Sequence, residues 1–188
     1  MSKSAAPDMQ TLRSRCIDGE QPAWRVLHAQ YHPVARAFLR RLGVPPGDLE
    51  DACQDVFVQV FRYLARFEAR AEFKTWLYKL CISQAGRVRR RRLLGAALDR
   101  VLGNTNPAAT LADEQEWSES EVQRRVHAAL ASLKEIHRTV FVLFELEGLS
   151  GDEIARITRL PLGTVRRRLH DARAGFAAAL EQGRLRWR

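Results

Sequence analysis

Three consecutive arginines, Arg166, Arg167 and Arg168, stand in the stretch "PLGTVRRRLHDAR", just after Pro161 and Gly163. Guanidinium groups make charge-assisted, often bidentate hydrogen bonds to phosphate oxygens and to the major-groove edge of guanine. The chemistry on offer is therefore recognition of nucleic acid. Val165, Leu169, Ala172, Phe176 and Leu180 recur at helical spacing and predict an inward stripe, which turns Thr164, Arg166, Arg167, His170 and Arg173 outward. Ahead of them a short helix is expected from Ser150, with Asp152 and Glu153 in its first turn and Ile154, Ala155 and Ile157 inward. A tight turn at 158–160 joins the two. Short helix, tight turn and longer basic helix form a helix-turn-helix, whose second helix enters the DNA major groove.

A second basic cluster, Arg87 with Arg89 to Arg92, places five arginines in six residues. That exceeds what complementing a helix dipole calls for, and points to phosphate contact. Catalysis is not expected. The carboxylates of Asp48, Glu50, Asp51 and Asp55 are the only cluster a metal-assisted nuclease could use, and on one exposed helix face they do not converge. Cys16, Cys53 and Cys81 lie far apart, with neither C-x-x-C nor zinc spacing, and read as reduced, mostly buried thiols. No metal, cofactor or small-molecule substrate is implied.

The elements that must hold these residues are helical throughout, because no stretch alternates apolar and polar residues over a strand's length. A helix is expected over 22–42, started by Pro22, ended by Gly43 and kinked or split at Pro33. Another, over 48–67, opens with Asp48 as N-cap and buries Leu49, Cys53, Val56, Phe57, Val60, Leu64 and Phe67. Its other face carries Glu50, Asp51, Gln54 and Asp55, with Val58 and Phe61 turned outward beside them. Spacing alone leaves that face either solvated or a docking surface. A third helix, over 73–94, has the inward stripe Phe73, Trp76, Leu77, Leu80, Cys81, Ala85 and Val88. The chain thus divides into a helical domain over 1–94, a flexible acidic linker over 95–120 and a second helical domain over 121–188 that contains the helix-turn-helix. The net charge of +9 calls for a polyanionic partner. No apolar run approaches a membrane span, and the first residues hold no secretory signal, so the cytoplasm is the expected compartment.

"LEDACQDVFVQVF", "FKTWLYKL", "FELEGLSGDEIARI" and "PLGTVRRRLHDAR" resemble, in order and separation, the successive motifs of the extracytoplasmic-function (ECF) group of bacterial RNA polymerase sigma factors, over roughly 10–182. The resemblance implies a promoter-recognition subunit. The N-terminal domain would read and open the −10 element, and the C-terminal domain would read the −35 element. Asp51, Gln54 and Asp55, supported by Phe57 and flanked by Val58 and Phe61, match the segment that docks on core RNA polymerase. The stretch from Phe67 to Lys79 matches the segment that engages melted DNA, where aromatic rings stack on bases and cations follow the backbone. There Arg70, Lys74, Trp76, Tyr78 and Lys79 are the expected contacts, with Tyr78, Lys74 and Lys79 facing outward and Arg87 following on the same helix. Asp113 and Glu116 in the linker would stand in for RNA phosphates. An anti-sigma factor is an expected further partner. The chain departs from the family in having Thr158 and Arg159 where leucine and glycine are usual, and Arg166 to Arg168 where a lysine-serine-arginine run is usual. The alternative is a helix-turn-helix regulator that binds DNA without polymerase.

Overall fold

The computed structural model describes residues 8–67, 72–102 and 121–185. Among them every regular element is a helix. The first, α1 (Met9–Ile17), is one the periodicity did not reveal, because only Leu12 and Cys16 of it are fully buried. Side-chain bonds fasten it: Arg13 donates to the Leu64 and Ala65 carbonyls, and the Trp24 indole donates to the Cys16 carbonyl at 2.9 Å.

Helix α2 (Gln21–Arg41) has Pro22 in its first turn and passes through Pro33 without being split. It ends where Gly43 takes φ +87°. The Gly43 amide donates to the Arg40 carbonyl and the Val44 amide to the Leu39 carbonyl, the Schellman pattern that satisfies carbonyls left over at a helix end.

Helix α3 (Pro46–Tyr63) starts two residues before the expected Asp48 cap. Pro46, whose fixed φ suits the first turn and whose missing N–H would have had no partner there, begins it instead. Asp48 lies inside the first turn, and its carboxylate accepts from Arg91 at 2.6 Å and Arg92 at 2.5 Å. The expected inward stripe is buried at Leu49, Cys53, Val56, Val60, Leu64 and Phe67, and half-buried at Phe57. Helix α4 (Phe73–Val101) outruns its expected end at Leu94 by seven residues. The residues at 95–101, expected to open the linker, are therefore helical. Ala96, Ala97 and Leu98 are strong helix formers that outweigh the single Gly95.

The C-terminal half comprises α5 (Glu121–Ser132), α6 (Glu135–Phe141), which continues as a π turn over Val142–Leu146, α7 (Gly151–Thr158) and α8 (Leu162–Leu185). Helix α8 packs on α5, α6 and α7, while α4 packs on α7, so that buried side chains of both halves belong to one cluster. Arg138 of α6 fastens the junction. Its guanidinium donates to the Leu42 carbonyl past the end of α2, to the Ala131 carbonyl in the last turn of α5 and to the Leu133 carbonyl just past it. Cations suit helix C-termini for this reason.

Candidate nucleic-acid interface

Helix α7 is aimed by a capping box. The Glu153 amide donates to the Ser150 hydroxyl at 3.3 Å, and the Ser150 amide donates back to the Glu153 carboxylate at 2.8 Å. Hydrogen bonds from the Ser150 side chain and then its backbone hold the Glu153 carboxyl below its usual range. Ile154 and Ile157 are buried, and Ala155 is half-buried between the helices. The turn that follows runs through Arg159 in the left-handed region, φ 56° and ψ 38°, the conformation that explains the usual glycine there. Pro161 then accepts from the Thr164 and Val165 amides and opens α8.

On α8, Val165, Leu169 and Ala172 are buried, and Phe176 packs against Phe141 with centroids 4.6 Å apart. Arg166, Arg167 and His170 are exposed as expected, whereas Thr164 and Arg168 are half-buried. Arg173 is exposed but tethered: it bonds Glu145 at 2.6 Å and lies over the Phe144 ring. Among the described residues, the cations of this face without an ion pair are thus Arg166 and Arg167, one turn into the helix.

The N-terminal half presents a second surface. Phe67 and Phe73 are buried, and Trp76 is half-buried against both, with centroids 5.3 and 5.4 Å away. Lys79 and Arg87 are exposed. Arg70 lies outside the described residues, as do Asp113 and Glu116. Tyr78 corrects the sequence reading. It is fully buried, stacks against Phe38 with centroids 4.2 Å apart, and donates its hydroxyl to Glu147. Burial first, and then that bond, push its phenol strongly upward. Helix α4 is covered by α2 and also by α7, so its buried arc is wider than one stripe predicts. The arginine cluster divides as well. Arg91 and Arg92 pair with Asp48 and Arg89 pairs with Glu135, while Arg87 and Arg90 point to solvent.

The face of α3 forms a third surface. Asp51, Gln54 and Asp55 are exposed, together with Val58 at 47% and Phe61 at 67%. Phe61 lies 5.0 Å from the Trp24 ring, and Gln84 donates to Asp55 at 2.6 Å. Glu50, bonded by Arg36 at 2.6 Å, is held below the usual carboxylate range mainly by that bond. Among the described residues no group of three or more histidines, cysteines or carboxylates could hold a metal ion, and no helix is long and apolar enough to cross a membrane.

Sequence reasoning missed Glu147, Arg41 and Arg138, which tie the two halves together. Arg41 bonds Glu147 at 2.5 Å, and Lys74 reaches the same carboxylate at 3.3 Å. These partners lie 73 to 106 positions apart by residue number, and no local periodicity marks them.

The sequence models described as sigma-70 region 2 and sigma-70 region 4 match residues 27–94 and 123–174. The ECF RNA polymerase sigma-E factor of Escherichia coli (strain K12) is 32% identical over 172 residues, which is 87% of this chain and 90% of the relative. The sigma-E factor of Haemophilus influenzae is 30% identical over the same length. Among solved structures, CnrH in complex with the cytosolic domain of CnrY aligns over 92% of this chain and 97% of its own, with a TM-score of 0.66 and 25% identity. The sigma factor RpoE in complex with the anti-sigma factor NepR from Bartonella quintana aligns over 84% and 96%, with a TM-score of 0.65 and 21% identity, a likeness of fold. Two family regions in order, on a helix-turn-helix whose arginines face solvent, lead to one conclusion: the chain belongs to the ECF RNA polymerase sigma factors, which direct core polymerase to specific promoters.

Proposed function

We propose a division of labour among the three surfaces. The domain over 1–94 docks on core RNA polymerase through Asp51, Gln54, Asp55, Val58 and Phe61, and engages the melted −10 element through Lys74, Trp76, Lys79, Arg87 and Arg70. The segment 95–120, helical at its start, connects it to the domain over 121–188. That domain reads the −35 element through Arg166, Arg167 and His170, with Thr164 and Arg173 at the margin of the contact. Tyr78 contributes through its hydroxyl and not by stacking, because its ring is enclosed. The protein acts by binding and not by catalysis, and works in the cytoplasm beside the polymerase and the DNA.

The observation that carries this reading is the face of α3: a largely exposed phenylalanine beside an exposed valine and two carboxylates, on a helix whose opposite side is wholly core. An apolar centre with a polar rim is the anatomy of a protein interface. CnrH and RpoE were both solved bound to partners, CnrY and the anti-sigma factor NepR, and we infer that an anti-sigma partner binds this chain too. Run-off transcription with core polymerase on genomic fragments is the test. Specific transcripts that appear only when core enzyme and this chain are combined support it. Tight promoter binding by the chain alone, with no dependence on polymerase, would instead establish a free-standing regulator.

A further inference from the structure

Glu147 closes the π turn, and its side chain is only 6% exposed. Three donors from the other half of the molecule surround its carboxylate: Arg41 of α2 at 2.5 Å, Lys74 of α4 at 3.3 Å, and the Tyr78 hydroxyl of α4. The set is over-supplied with charge, two cations to one anion. The Arg41 and Lys74 side chains remain 36% and 44% exposed, so the cluster has an open side. A joint that served packing alone would do as well with apolar contact, since buried ion pairs lose in desolvation much of what they gain in attraction. A guanidinium, an ammonium and a hydroxyl converging on two oxygens are also what a phosphodiester requires. On α4 too are Phe73 and Trp76, which with Phe67 form an aromatic group on the segment assigned above to the melted strand.

We propose that Arg41, Lys74 and Tyr78 form a backbone-phosphate site for single-stranded promoter DNA, and that Glu147 occupies this site in cis as a carboxylate stand-in. The inference rests on the proposed function. It makes the arrangement seen here a self-blocked one. Glu147, helped by the Arg89–Glu135 pair and the Arg138 bond to the Leu42 carbonyl, holds the C-terminal half against the strand-binding surface. Strand binding must displace it, so affinity is reduced by the fraction of molecules that are open.

The test uses the full chain and a labelled single-stranded DNA oligomer, the non-template strand of a promoter that the holoenzyme transcribes. Glu147→Gln, which keeps shape and removes charge, is expected to tighten binding on the order of tenfold if about nine in ten molecules are closed. Arg41→Ala is expected to weaken it, and the gain from Glu147→Gln should shrink in the double variant. Because Glu147→Gln also loosens a joint, a second measurement uses the unaltered protein: a zero-length carbodiimide should link Lys74 to Glu147, and saturating oligomer should suppress the link. Unchanged affinity in Glu147→Gln, or a cross-link indifferent to oligomer, overturns the inference while leaving polymerase-dependent transcription intact. A chain that fails to support transcription with core enzyme overturns the underlying reading instead.

Discussion

Arg166 and Arg167 carry the sharpest residue-scale expectation, because they alone combine exposure, freedom from ion pairs among the described residues and a place one turn into the recognition helix. Replacing either by alanine should cost about 1 to 3 kcal/mol on the cognate site and relax discrimination at one base pair if it reads a base. If it touches only phosphate, all sequences should weaken alike and the salt slope should fall by about 1. Titration of −35 duplexes at several salt concentrations separates the two. Arg159 makes an opposite prediction. A side chain held at φ 56° is strained by roughly 1 kcal/mol, so Arg159→Gly should raise the thermal midpoint, less the entropy that glycine adds to the unfolded chain. The substitution of an arginine for the usual glycine was visible in the sequence; that the backbone keeps the left-handed turn regardless, instead of reshaping it, was not.

At the scale of the element, legibility followed the strength of the apolar period. The buried stripe from Leu49 to Phe67 could be read almost residue by residue, though α3 itself ends at Tyr63 and a 3-10 turn over Leu64–Arg66 follows, whereas α1, with two buried positions, gave no signal. Helix ends were harder, because ends are decided by caps and distant partners. Asp48 looked like a cap and is an anchor for Arg91 and Arg92. Where a cap box is complete it is testable. Ser150→Ala should destabilise the protein by about 1 kcal/mol in chemical denaturation near neutral pH. Glu153 is held below the usual carboxylate range, so its contribution is present above that range and lost as the pH falls through the folded value. The gap between the two proteins should therefore narrow in acid, and what remains is the bond that the Ser150 hydroxyl accepts from the Glu153 amide. Pro33 is exposed within an unbroken α2 and lacks the N–H that its turn would use. Pro33→Ala should stabilise the protein by about 1 to 3 kcal/mol, again by denaturant midpoint, if α2 closes its hydrogen-bond ladder there.

Across the whole molecule, what escaped the sequence is what joins distant parts: Glu147 to Arg41, Arg138 to Leu42, Tyr78 to Glu147. A basic protein with one acidic, partly apolar face is built to meet two partners of different character, and that division can be tested at its most exposed point. Phe61 touches little of its own chain besides Trp24 and leaves two thirds of its surface in water. Phe61→Ala should consequently change folding stability by no more than about 0.5 kcal/mol, the usual range for a surface position. If the α3 face seats polymerase, the same truncation removes an aromatic anchor from the centre of an interface and should cost about 2 kcal/mol or more, some thirtyfold in affinity. Fluorescence titration with core enzyme reads the loss, and duplex binding by α8 serves as the internal control that the rest of the surface is intact. A variant that melts like its parent and binds core enzyme equally well would move the docking surface away from this face of α3, whose apolar centre is Val58 and Phe61.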